Sequence, residues 1–140
     1  MNTQRDAVKG KCILLVDDER VVREMIKLLL TQDDHLVVEA NNGAEAYTIF
    51  TQGRFDLVLT DCEMPFVKGN ELATRIRKVA PTQPILMITG FGHKTGNNNP
   101  VDAVLDKPFN LNRLRWAMAE VLADTAPVLS ESDTDLAYAN

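Results

Sequence analysis

The chain has 140 residues, enough for one domain with a sizeable core, and its 45% hydrophobic and 25% charged residues are an ordinary globular composition. No apolar run approaches the length of a bilayer span and the polar N-terminus carries no signal-peptide pattern, so the expectation is a cytoplasmic protein without membrane association. A formal net charge of −5, with no block of basic residues, argues against direct binding to nucleic acid.

Residues 1–11 are polar and read as an N-terminal arm, leaving 12–123 as the folded domain. Cys12 to Val16 is a short, branched apolar run, the pattern of a strand buried on both faces, and it ends in Asp17, Asp18 and Glu19. Val22, Met25, Ile26 and Leu29 then recur at helical spacing, predicting an amphipathic helix over about 19–32 that Asp17 or Asp18 could cap. Asp33-Asp34-His35 is a polar turn with His35 in solvent. Leu36 to Ala40 is a second strand, and Ala46, Ile49 and Phe50 mark a second helix that Gly53 stops.

A third strand over about 55–60 holds Leu57-Val58-Leu59 and delivers Asp61 at its carboxyl end, followed by Cys62, Glu63, Met64 and Pro65. Leu72, Ile76 and Val79 give a third helix an apolar side, with Arg75, Arg77 and Lys78 on its wet face. Ile85 to Ile88 is a fourth strand running into Thr89-Gly90. From Gly90 to Pro100 helical periodicity disappears into Gly and Asn, which predicts a loop or one weak turn, with His93 solvated. Ala103 to Leu105 is a last strand, ending at Asp106-Lys107-Pro108-Phe109. Asn110 caps a final helix whose Leu111, Leu114, Met118, Val121 and Leu122 face the core; Trp116 falls off that stripe, half-buried or on a partner surface. Residues 124–140 read as an acidic tail or a truncated linker. Cys12 and Cys62 fall at opposite edges of such a sheet and are expected to remain free thiols.

Strand then helix, repeated, implies an α/β fold: a doubly wound parallel sheet with helices on both faces. In such sheets ligands bind at the carboxyl ends of the strands, near the point where strand order reverses. Asp17, Asp18, Asp61, Thr89 and Lys107 all fall at such ends. Three carboxylates brought together raise at least one of their own pKa values by repulsion, and a divalent cation relieves it. Hard oxygen ligands without histidine favour magnesium over zinc. Lys107 supplies a compact positive charge and Thr89 a hydroxyl, natural partners for a phosphoryl oxyanion. Asp61, between metal and lysine, is placed as a nucleophile that can carry phosphorus as an acyl phosphate.

In these residues the chain resembles the receiver domain of bacterial two-component response regulators, over about residues 11–123. The motifs are an acidic pair after the first strand, Asp-x-x-Met-Pro after the third, Thr-Gly after the fourth and Lys-Pro-Phe after the fifth. The resemblance implies a flavodoxin-like five-stranded sheet of order 2-1-3-4-5. It implies that Asp61 accepts a phosphoryl group from a phosphohistidine on a partner histidine kinase. Mg2+ would then be held by Asp18, Asp61 and the backbone carbonyl of Glu63, with Asp17 acting through water. Lys107 would hold the phosphoryl oxygen and Thr89 would swing inward as the switch. Glu63, Gly90 and Phe91 occupy positions that tune the lifetime of the phosphoryl group, and the Lys107-Pro108 bond is often cis in such domains.

The chain also departs from the family pattern. Val104 stands where the family usually carries an aromatic that moves with the threonine, the Thr89-to-Lys107 segment is short, and the fourth helix is predicted short or missing. The downstream protein partner is not specified. Two other readings use the same residues: a pseudo-receiver that binds partners without being phosphorylated, and a magnesium-dependent phosphohydrolase with Glu63 as general acid two residues after the nucleophile.

Overall fold

A computed structural model describes residues 8–90 and 100–123. Its elements in chain order are β1 (Cys12–Val16), α1 (Arg20–Thr31), β2 (Leu36–Ala40), α2 (Gly43–Thr51), β3 (Leu57–Asp61), α3 (Gly69–Val79), β4 (Ile85–Thr89), β5 (Ala103–Asp106) and α4 (Leu111–Ala123). All strand pairs are parallel and the sheet order is β2-β1-β3-β4-β5, the doubly wound arrangement expected from the sequence. Residues 91–99, which include Phe91, His93 and most of the stretch predicted to lack a full helix, lie outside the described residues, as do 1–7 and 124–140. Among the described residues there are four helices.

The alternation of strand side chains divides the core into two layers. Ile13, Leu15, Leu57, Leu59, Leu86 and Ile88 project to one face, where Ile26 and Leu30 of α1 and Leu114, Met118 and Val121 of α4 cover them. Leu14, Val16, Val58 and Ile85 project to the other, under Ala46 and Phe50 of α2 and Leu72, Ala73 and Ile76 of α3. Strands β1, β3 and β4 are almost wholly buried because they lie inside the sheet with helices on both sides.

Several local expectations change. In α1 the buried stripe runs through Ile26 and Leu30, whereas Val21, Met25 and Leu28 are exposed, so Met25 faces out instead of in. A 3.6-residue period fits more than one phase of this leucine-rich helix, and contact with the sheet selects one. Val79, in the last position of α3, is exposed.

Arg77 is not on a wet face. Its guanidinium donates to the carbonyls of Pro81, Gln83 and Pro100 and pairs with Asp102 at 2.8 Å, tying the end of α3 to the segment that enters β5. His35 is buried, with only 5% of its surface exposed, and its Nδ1 accepts the Lys11 backbone N–H at 3.0 Å. The neighbouring Asp33 is gripped at both oxygens by Arg115 of α4, at 2.8 Å each. The Asn110 cap is as expected, its side chain accepting from the Arg113 N–H at 2.9 Å. Cys12 and Cys62 form no disulfide.

Candidate functional site

Strand order reverses between β1 and β3, whose neighbours on either side are β2 and β4. The carboxyl ends of β1 and β3 therefore face a shared crevice. Asp17 leaves β1 with its backbone N–H donating to the Ala40 carbonyl at 3.2 Å, while its own carbonyl accepts from Arg23 Nη1 at 2.8 Å. Arg23 is fixed in turn by Glu39 of β2 at 2.9 Å, and Lys27 reaches the same carboxylate at 3.0 Å. The β1–α1 turn is thus held from behind by a charged side chain that sequence spacing did not single out.

Asp17 does not cap α1. The residue before the helix is Glu19, with no side-chain cap, and Asp17 Oδ1 accepts the Glu19 N–H at 2.9 Å instead. Asp17 Oδ2 is buried and has no hydrogen-bond partner. An orphaned carboxylate oxygen is costly, and two other acids stand close by: one carboxylate oxygen from each of Asp17, Asp18 and Asp61 lies within 4.8 Å of the others. Asp17 and Asp61 are buried and Asp18 is exposed. This donor set fits a hard divalent cation with open positions for water.

Asp61 is the last residue of β3 and is 7% exposed. Lys107, one residue beyond β5, brings its Nζ to 3.5 Å from Asp61 Oδ1 across 46 positions of sequence, and the Lys107-Pro108 bond after it is cis. The Asp61 carboxyl is pushed up to about 6, first by burial and next by the Asp17 charge, with Lys107 opposing. Burial likewise raises Asp17 above the ordinary carboxylate range. The direction expected from clustered acids holds, but desolvation exceeds repulsion as its cause.

Glu63 is exposed in the loop after β3, where Lys68 Nζ stands 3.1 Å from its Oε1. That loop is pinned under the site at Gly69. The Gly69 N–H donates to the Cys62 carbonyl at 3.1 Å, and a methyl group there would collide with the Asp61 carbonyl oxygen. Gly90, by contrast, faces open space, since a Cβ there would meet nothing within 4 Å.

Asp17, Asp18, Asp61 and Lys107 are thus brought together. Thr89 ends β4, the strand beside β3, but its hydroxyl is engaged elsewhere: fully buried, it donates to Asp106 Oδ1 at 2.8 Å. Val104 lies two residues before Asp106 on β5 and is 37% exposed. Asp106, Arg23 and Gly69 are the neighbours that sequence reasoning passed over. A signal for Asp106 was available, because in a parallel pair the residue before the strand-end lysine falls opposite the strand-end threonine.

The family of the chain is shown by comparison with known proteins. Residues 13–119 match the family model of the response regulator receiver domain. Among curated proteins, the chain is 34% identical over 133 residues to the phosphate regulon transcriptional regulatory protein PhoB of Pseudomonas aeruginosa, covering 91% of this chain and 58% of that protein. It is 32% identical over 127 residues to the autoinducer 1 sensor kinase/phosphatase LuxN of Vibrio campbellii, covering 88% of this chain and 15% of LuxN. The chain therefore spans less than two thirds of the length of either relative.

Among solved structures, the response regulator protein TrrA of Thermotoga maritima, in complex with Mg2+–BeF, is 35% identical. It superposes with a TM-score of 0.76 over 80% of this chain and 99% of that one. The same protein in complex with the histidine kinase ThkA gives a TM-score of 0.73, covering 80% of this chain and 98% of that one. With the family match, these relatives and the sheet order in agreement, the chain belongs to the response regulator receiver domains, the signalling domains of two-component systems.

Proposed function

We propose that the chain is a phosphoacceptor in two-component signalling, in which Asp61 takes a phosphoryl group from a phosphohistidine on a histidine kinase. The observation that carries this reading is the Asp61–Lys107 contact of 3.5 Å beside the acids Asp17 and Asp18. An Asp61 oxygen attacks phosphorus in line, the P–N bond breaks, and the departing imidazole nitrogen keeps the electron pair and takes up a proton. Lys107 neutralises one phosphoryl oxygen, and the Thr89 hydroxyl turns to another once the acyl phosphate has formed. Water later attacks phosphorus and returns Asp61 to its carboxylate, with phosphate released. Apart from this cycle on its own side chain, the domain turns over no substrate.

Asp18, Asp61 and the backbone carbonyl of Glu63 would hold magnesium, with Asp17 acting through water. The buried, unpartnered Asp17 Oδ2 supports a cation at this place. When bound, the ion offsets the charge that accumulates on the transferring group. By the family resemblance, Glu63, Gly90 and Phe91 occupy the positions that set the lifetime of the phosphorylated state. Residues 12–123 form the working unit, a cytoplasmic module with no nucleic-acid contact of its own, and 1–11 and 124–140 lie outside it. The TrrA complexes with Mg2+–BeF and with a histidine kinase support the cation and the donor class.

The test is incubation with acetyl phosphate and Mg2+ followed by intact mass measurement. One phosphoryl unit per chain is expected, absent without the metal and absent in Asp61→Asn. Equal incorporation in Asp61→Asn would overturn the assignment.

A further inference from the structure

We propose that Asp106 is a latch on Thr89, a positioning residue that holds the threonine hydroxyl away from Asp61 until a phosphoryl group competes it off. This rests on the phosphoacceptor reading of Asp61. Parallel register sets Thr89 directly opposite Asp106, and the Lys107 N–H fixes that register by donating to the Thr89 carbonyl at 2.8 Å. Across this pair the Thr89 hydroxyl donates to Asp106 Oδ1 at 2.8 Å.

A hydroxyl has one proton to donate. Thr89 is fully buried, so bulk water does not offer its hydroxyl an alternative acceptor; its proton goes to Asp106 here, and in the phosphoacceptor reading an oxyanion on Asp61 is the competitor. Moving between them is a rotation about χ1, which a β-branched side chain makes between discrete wells. Asp106 is exposed, and on release its carboxylate is taken up by water. The asymmetry suits a reversible device: the threonine always has a partner, and the acid loses little when abandoned.

The same residue accounts for a departure in this chain. Val104 and Asp106 point to the same side of β5, two positions apart, and Val104 offers no polar group to a moving threonine. Here the side chain that answers the threonine is the carboxylate.

The latch is measured by titrating beryllium fluoride with Mg2+, a phosphoryl mimic, into wild type, Asp106→Ala, Thr89→Val and the double variant, with heat of binding as the readout. Removing the competing acceptor should tighten apparent binding about tenfold in Asp106→Ala. A negative charge near an anion site would weaken binding without any latch, and the double variant separates the two causes. If Thr89 mediates the effect, Asp106→Ala adds nothing once Thr89→Val is present. The same tightening in the Thr89→Val background would identify simple repulsion and overturn the latch. Unchanged or weaker binding in Asp106→Ala alone would also overturn it, while leaving the phosphoacceptor reading intact. A wild-type protein that binds no fluoride complex at all overturns both. Asp106→Asn keeps an acceptor without the charge and should fall between wild type and Asp106→Ala.

Discussion

The Lys107 ammonium stands 3.5 Å from Asp61 Oδ1, yet the Asp61 carboxyl is still pushed up to about 6. One cation does not offset burial together with the Asp17 charge. The pocket is therefore strained electrostatically in the metal-free state, and that strain depends on pH.

Because the folded-state value lies above the ordinary 3.8, the folded protein keeps a proton that the unfolded chain has already released over about pH 4 to 6. This contribution is most favourable below that window and is lost as pH rises through it. Asp61→Asn should accordingly raise the metal-free Tm by about 3–6 °C near pH 7.5 and change it little near pH 4. Millimolar Mg2+ should raise the wild-type Tm at the higher pH and remove most of the variant's advantage. Thermal melts across pH, with and without EDTA, check all three; a pH-independent effect of the substitution would disprove the electrostatic account.

His35 acts in the opposite sense. Burial holds its imidazole below the usual 6.5, against Asp33 and Asp34, which pull it upward. As pH falls below about 6.5 the unfolded chain takes up this proton before the folded one does, so stability is full above that value and declines below it. His35→Phe should flatten this part of the acid limb. It should also cost about 1 kcal/mol at neutral pH, because the Lys11 N–H loses its acceptor. Urea midpoints measured between pH 5 and 8 would show both, and an unaltered slope in the variant would assign the acid sensitivity to other groups.

Much of this architecture was legible because the signals are local. Short branched runs ending in acid, hydroxyl or lysine mark strands and their carboxyl ends together, and of the residues at those ends Asp17, Asp18, Asp61 and Lys107 stand side by side, whereas the Thr89 hydroxyl is engaged by Asp106. The remainder depends on which strand lies beside which, and in what register. The hydrogen bond from Thr89 to Asp106 exists only because β4 and β5 pair with those residues opposite. The Asp33–Arg115 pair joins positions 82 residues apart and His35 is buried, and nothing in a polar Asp-Asp-His turn announces either. The outward turn of Met25 has a related origin. Helical period constrains which residues share a face, and packing chooses the face.

Positions outside the acid–lysine set should control how long a phosphoryl group survives. Glu63→Ala and Phe91→Ala should each change the rate of dephosphorylation severalfold, about 1 kcal/mol in barrier, while leaving labelling intact. Gly90→Ala should slow hydrolysis by narrowing the approach of water, and it should fold normally because its new methyl meets open space. Loss of labelled protein after removal of acetyl phosphate gives each half-life. Identical half-lives across wild type and the three variants would remove these positions from any role in lifetime.

Gly69 provides the sharpest contrast with Gly90. It opens α3 directly beneath the carboxyl end of β3, where a methyl would strike the Asp61 carbonyl oxygen and sit 3.0 Å from Cys62 Cα. Both obstacles are backbone, which has no rotamer with which to step aside, so the chain carrying Asp61 must shift. Gly69→Ala should therefore destabilise the fold by about 1–3 kcal/mol. Since a displacement near 1 Å can cost about 100-fold in a positioned reaction, it should also slow phosphate incorporation by more than about tenfold even where the variant is fully folded. Denaturation curves and labelling rates measured on the same samples separate the two effects. A folded Gly69→Ala that labels at the wild-type rate would mean that the loop absorbs the methyl without moving Asp61 relative to Lys107.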